Sequence, residues 1–112
     1  IAMSTQAHRL FDKFEAMDKP IIAAVNGYAL GGGTELALAC DLRVISENGK
    51  VALMEINFDS FPGMGGVPRL IALVDYSRAM KMMLFAEELF SSITSSALSL
   101  PERISCFRAI PR

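Results

Sequence analysis

The chain has 112 residues, of which 52% are hydrophobic and 21% charged, and a formal net charge of −1. That is enough apolar sequence for one domain with one core, and it excludes a disordered chain. There is no basic stripe or charge run, which argues against a nucleic-acid surface. No apolar run approaches the ~20 residues of a membrane span.

Cys40 and Cys106 are too few and too far apart for a Cys-only zinc site or a disulfide framework. Both are expected to be reduced, with Cys40 in the core. His8 is the single histidine; it removes multi-His metal sites and reads as a surface residue of a helix. The opening IAMSTQAHRL has neither the apolar centre of a signal peptide nor the Arg-rich, acid-poor character of a transit peptide.

In chain order, residues 4–17 read as a helix capped by Ser4 or Thr5, with Ala7, Leu10, Phe11, Phe14 and Met17 at helical spacing. Asp18-Lys19-Pro20 ends it. Residues 21–25 form a continuous apolar run with β-branched ends, the pattern of a strand buried on both faces. Asn26-Gly27 signals a turn, and residues 28–30 a short strand. Three glycines, Gly31, Gly32 and Gly33, lead into a helix over residues 34–40. A strand over 41–46, a turn over 47–50 and a strand over 51–54 follow, with Glu55 at the last strand's end. A second glycine-rich loop, Phe61 to Gly66, opens a helix over 67–74, and Pro68 is tolerable in its first turn. Asp75 or Ser77 caps a further helix reaching Phe85. Met80, Met82 and Met83 read as adaptable core or subunit interface. From Ser91 on the text turns serine-rich and then aperiodic, which predicts an irregular tail. Alternation of strands and helices predicts an α/β domain with a mostly parallel sheet.

The chemistry concentrates at the join between the first glycine run and its helix. Glycine lets the backbone approach a ligand closely. A helix starting there presents N–H groups without intrahelical partners, at the positive end of its dipole. Such donors suit an oxygen carrying negative charge. Glu35 stands in that first turn, so a carboxylate lies beside an oxyanion site. A Gly-rich turn and a dipole-favoured Glu also serve structure alone, and on these features alone that reading is the favoured one. Glu55 by itself reads as a solvated turn residue. Two carboxylates in different surroundings can divide acid and base roles, but spacing does not show that the fold brings these two together. Arg69 reads as a structural ion pair ahead of an anion contact. Phosphate-loop, dinucleotide and nucleophile-elbow motifs are absent from the sequence.

The stretches KPIIAAVNGYALGGGTELALACDLRV and EINFDSFPGMGGVPRL resemble the two signatures of the crotonase superfamily, the enoyl-CoA hydratase/isomerase fold. In the second, a Glu is followed seven residues later by Pro-Gly-x-Gly-Gly and then Arg-Leu. The resemblance runs from about residue 4 to residue 85. It implies that Gly32 offers its N–H as half of an oxyanion hole for an acyl-thioester carbonyl, with Gly31 beside it. It implies Glu35 and Glu55 as the catalytic pair and Gly63 as the glycine near the bound water. Isomerases of the family commonly keep only the glutamate at the Glu55 position, so retention of both favours a hydratase over an isomerase or another acyl-CoA enzyme. A non-catalytic interaction fragment is the reading from a different class.

The resemblance further implies no metal and no redox cofactor, since CoA arrives as part of the substrate. It implies a homo-oligomer, trimer or hexamer, and a cytoplasmic location, or matrix or peroxisome in a eukaryote. Two departures stand out. The family's N-terminal half, which supplies the other oxyanion N–H, is not represented, and the text beyond Phe85 keeps only a trace of the pattern. The division expected is a partial core over residues 1–90 and a divergent tail over 91–112.

Overall fold

The structure is a computed structural model that describes residues 2–90 and 104–107. Helix α1 spans Ala2–Ala16, strand β1 Ile22–Val25, β2 Tyr28–Leu30 and helix α2 Gly32–Ala39. Strands β3 (Leu42–Ser46) and β4 (Lys50–Ala52) precede a 3-10 turn at Glu55–Phe58. Helices α3 (Gly66–Val74) and α4 (Tyr76–Phe85) follow, then strands β5 (Leu89–Phe90) and β6 (Ile104–Phe107).

The strands form two three-stranded sheets, ordered β1-β3-β6 and β2-β4-β5. In each, the first pair is parallel and the second antiparallel. A parallel pair needs a crossover connection. One helix serves both here, because α2 lies between β1 and β3 and also between β2 and β4 in the chain. Thr34, at the start of α2, ties the helix to both strands of the second pair. Its hydroxyl lies 2.5 Å from Ala29 O and 2.8 Å from Ala52 O, and accepts from Ala52 N at 3.1 Å. The other end of α2 is closed by Arg43, which is buried. Its Nη1 donates to Ala37 O at 2.9 Å and Cys40 O at 2.6 Å, satisfying carbonyls that a helix C-terminus leaves open and placing a cation at the negative dipole end.

The core gathers Leu38, Ile45, Val51, Leu53, Leu70, Ala79 and Met82. Truncating a side chain as enclosed as Leu70 costs ~2–5 kcal/mol. Met82 is core as predicted, with Met83 packed against it. Cys40 is buried and free. Asp75 caps α4 by accepting from Arg78 N at 2.9 Å.

Several expectations are corrected. Strand β1 is not buried on both faces: Ile22 is 58% exposed and burial alternates along the strand. Among the described residues β1 and β2 are edge strands, and one face of each lies open. Helix α1 begins at Ala2, so Ser4 and Thr5 lie inside it rather than capping it. Leu10 and Met17 of its predicted apolar stripe are exposed; Phe11 alone is buried. Lys50 belongs to β4 rather than to the preceding turn, where Gly49 is obligatory. A Cβ there would stand 2.4 Å from Ile45 Cγ2. Strand β4 ends at Ala52, so Glu55 opens a 3-10 turn instead of closing a strand. Residues 91–103 and 108–112 of the predicted irregular tail lie outside the described residues. Residues 104–107 form a regular strand, because β3 supplies an antiparallel ladder that local sequence does not announce.

Candidate active site

Gly31 adopts φ 54°, ψ −119°, a backbone conformation that side chains disfavour, and so turns the chain from β2 into α2. Its N–H donates to Ala52 O at 2.8 Å, and its carbonyl takes the first helical bond, from Glu35 N at 3.0 Å. Gly32 opens α2, and its N–H therefore has no intrahelical partner. A side chain at Gly31 would meet Glu55 Oε1 at 3.3 Å. The first glycine run and the Glu55 carboxylate are thus in direct apposition.

Glu35 is 2% exposed. Its Oε1 accepts two backbone hydrogen bonds, from Met64 N and Gly66 N, each 2.9 Å. The second glycine loop therefore supplies the donors that hold the carboxylate of the first. Gly66 is glycine for a steric reason: a Cβ there would lie 2.6 Å from Glu35 Oε1 and 2.7 Å from its Cγ. Gly65 sits at φ 85°, and a Cβ there would meet Arg69 Nη1 and His8 Cε1.

Glu55 is held differently. Its carbonyl accepts from Ser60 N at 3.0 Å, two residues past the 3-10 turn. Its Oε2 is buried without a hydrogen-bond partner among the described residues. Burial pushes its carboxyl above the ordinary glutamate range, and the nearby Glu35 charge adds to this; a backbone N–H of its own partly opposes it.

Gly31, Gly32, Glu35, Glu55 and Gly63 all line one cleft of about 520 Å3. Met3, Leu30, Met54, Phe58, Phe61 and Met64 supply apolar walls. Carboxylates facing each other's cleft, one anchored and one desolvated, can move protons between a water and a carbon atom.

Three residues outside the expected set belong to this architecture. His8, read as a surface residue, is half-buried, with Nε2 2.9 Å from Gly63 O, and Ser4 donates to the same carbonyl. Arg69 is the expected structural ion pair, reaching Glu15 at 2.6 Å and Asp12 at 3.1 Å. It also donates to Met64 O and Gly65 O. The spacing of Ser4 and His8 by one helical turn was a readable signal, but their target was not. Among the described residues, no group of His, Cys, Asp and Glu is arranged to hold a metal ion, and no helix is long and apolar enough to cross a membrane.

A fold of this kind, with two glycine loops and with one buried and one half-buried carboxyl on a shared cleft, defines a class. The chain belongs to the enoyl-CoA hydratase/isomerase family, whose profile matches residues 2–93. It is 51% identical over 81 residues to the 2,3-dehydroadipyl-CoA hydratase of Escherichia coli (strain K12), a match covering 72% of this chain and 32% of that protein. It is 47% identical over 79 residues to the fatty acid oxidation complex subunit alpha of Acinetobacter baumannii (strain AYE), covering 70% of this chain and 11% of the relative. Solved crotonase-fold structures superpose on it. Enoyl-CoA hydratase from Bacillus anthracis does so with a TM-score of 0.79 and 34% identity over 83% of this chain and 36% of its own. Pseudomonas aeruginosa DspI does so with 0.81 and 34% over 85% and 39%. The chain thus spans about a third of the length of the Escherichia coli and Bacillus anthracis proteins and about a tenth of the Acinetobacter baumannii one.

Proposed function

We propose that this chain carries the two-glutamate centre of an enoyl-CoA hydratase, adding water across the 2,3 double bond of a 2-enoyl-CoA thioester. The observation that carries this reading is the contrast between the two carboxyls on one cleft. Glu35 Oε1 is pinned by two N–H groups, which leaves Oε2 to orient a water and take its proton as oxygen bonds to C3. Glu55, whose carboxyl is pushed upward by burial, gives its proton to C2. The negative charge that develops on the thioester oxygen meets the Gly32 N–H at the start of α2. Gly63, with its carbonyl taken up by Ser4 and His8 of α1, lines the cleft near where the water would stand. The atoms balance: the hydroxyl goes to C3 and a proton to C2, and the pair of glutamates recovers its charge by passing one proton back.

Acid, base and oxyanion donor are all groups of the chain, so the reading assigns no metal and no redox cofactor; CoA enters as part of the substrate. The apolar walls suit the acyl portion. A homo-oligomeric assembly is part of this proposal, supported by exposed Ile22, Tyr28 and Phe85. The second reading is an isomerase using Glu55 alone, favoured by the buried, unpartnered Glu55 Oε2.

The test is hydration of crotonyl-CoA by the 112-residue chain, followed as loss of the conjugated enoyl-thioester absorbance. Turnover that falls in both Glu35→Gln and Glu55→Gln is the expected result. Isomerisation of a 3-enoyl-CoA that survives Glu35→Gln but not Glu55→Gln decides for the second reading. Failure to bind any acyl-CoA overturns both in favour of a non-catalytic interaction fragment.

A further inference from the structure

Two peptide planes of the second glycine loop aim the donors that hold Glu35. The Gly63 carbonyl and the Met64 N–H belong to one planar unit, and the Gly65 carbonyl and the Gly66 N–H to another. In a trans peptide the two groups point in opposite directions. Fixing the carbonyl end therefore fixes where the N–H end points.

One carbonyl end is held directly from α1, the other by Arg69 of α3, which α1 anchors in turn. Ser4 and His8, one turn apart on α1, donate to Gly63 O. A carbonyl oxygen has two lone pairs, and both are used. A carbonyl carries no proton, so the His8 bond requires the tautomer with hydrogen on Nε2. Gly65 O accepts from Arg69 Nη1 at 3.2 Å, and Met64 O from the same nitrogen at 3.3 Å. Arg69 is in turn anchored on α1, by Asp12 at 3.1 Å and Glu15 at 2.6 Å. Ser4, His8, Asp12 and Glu15 recur at helical spacing along one side of α1. The far ends of both planes converge on Glu35 Oε1 at 2.9 Å each.

We propose that α1 is a positioning element for the reaction, in which Ser4 and His8 hold the Gly63–Met64 peptide so that its N–H orients Glu35, and Arg69 does the same for the Gly65–Gly66 peptide. His8 lies outside the cleft lining and Ser4 contributes to it, but the role assigned to both is positioning. They act through the loop. The proposal rests on the reading of Glu35 as the group that handles water, but its structural half does not.

The test uses the 112-residue chain with two readouts. In the Ser4→Ala/His8→Ala double variant, hydrogen exchange of the Met64 amide rises about tenfold, the scale of one lost intramolecular hydrogen bond. The Gly31 amide, bonded to Ala52 O, stays protected. With crotonyl-CoA, kcat falls about tenfold while KM stays within about twofold, because Glu35 is misaimed while the apolar cleft walls keep their side chains and only the Ser4 hydroxyl is lost from the lining. His8→Gln, which can place an amide N–H near the Nε2 position, restores both values toward wild type, whereas His8→Leu does not. A Met64 amide unchanged in the double variant overturns the proposal. So does equal behaviour of His8→Gln and His8→Leu. Loss of protection at Gly31 as well, in the double and both single variants, also overturns it, since α1 would then support the whole fold rather than the loop. If Glu35→Gln hydrates crotonyl-CoA as well as wild type, the functional reading fails, and the amide readout still decides the peptide-plane mechanism.

Discussion

The two sides of the cleft hold their carboxyls in opposite ways. On one side Glu35 is enclosed, and the second glycine loop, braced from α1 and Arg69, directs two N–H groups onto a single oxygen. On the other, Glu55 begins a short 3-10 turn with exposed Ile56 and Phe58 beyond it, and one of its oxygens is buried without a partner. The first arrangement gives one carboxylate oxygen two donors; the second leaves a buried oxygen with none. The hydration proposed above would draw on that inequality, because a single environment does not suit both a proton acceptor and a proton donor.

The largest effect that would sharpen the contrast is on rate. On the proposed mechanism, Glu55→Gln removes the proton donor and Glu35→Gln the acceptor. Each is expected to lower crotonyl-CoA hydration by ~10²–10⁴-fold, the usual range for one general acid or base, measured as initial rates under saturating substrate.

A glycine comparison breaks the Glu35 side without touching a carboxyl. Gly66→Ala introduces a Cβ 2.6 Å from Glu35 Oε1. It is expected to destabilise the chain by ~1–3 kcal/mol through overpacking and to reduce turnover steeply. Gly27→Ala, where a Cβ would meet nothing within 4 Å, is expected to stay within ~0.5 kcal/mol. Urea midpoints of the two variants, read side by side, check this. Equal destabilisation would show that the close approach at Gly66 has no special consequence.

The smallest effect is the most diagnostic in sign. The Glu55 carboxyl is raised in the folded chain, so its contribution to stability is fully present below the unfolded-state value and is lost as pH rises through the folded value. Glu55→Gln avoids that loss and should melt above wild type at pH 8, with the difference closing by pH 4. Glu35→Gln exchanges two charge-assisted bonds for neutral ones and should melt below wild type at pH 8, by the equivalent of ~1 kcal/mol. Thermal scans at the two pH values test both, and shifts of the same sign at pH 8 would remove the contrast.

Much of the local structure was legible along the chain. The Asn26-Gly27 turn, the helix after Gly31, the Asp75 cap and the glycine loop before α3 follow from backbone preference within a few residues, and each stands within one or two residues of its expected place. The apolar run before Asn26 was misread as doubly buried because a run of aliphatic residues reports what a face requires, not what covers it. Helix α1 was misread for a related reason. Periodicity pointed to an apolar stripe of which Phe11 alone is buried, while the polar stripe of Ser4, His8, Asp12 and Glu15 makes the specific contacts. Glu55 looked like a solvated turn residue, and the desolvation that changes its chemistry comes from packing around the cleft.

By itself, then, the sequence determined which backbones could turn sharply, which segments would be helix or strand, and which side chains could exchange protons. Those are properties of a residue and its near neighbours. The tertiary structure alone decided that Met64 and Gly66 would donate to Glu35 and that Ser4 and His8 would grip Gly63. These bonds join residues 29, 31, 59 and 55 positions apart. Their geometry depends on how helices and sheets pack, and no local propensity encodes the direction in which a peptide plane faces across a cleft.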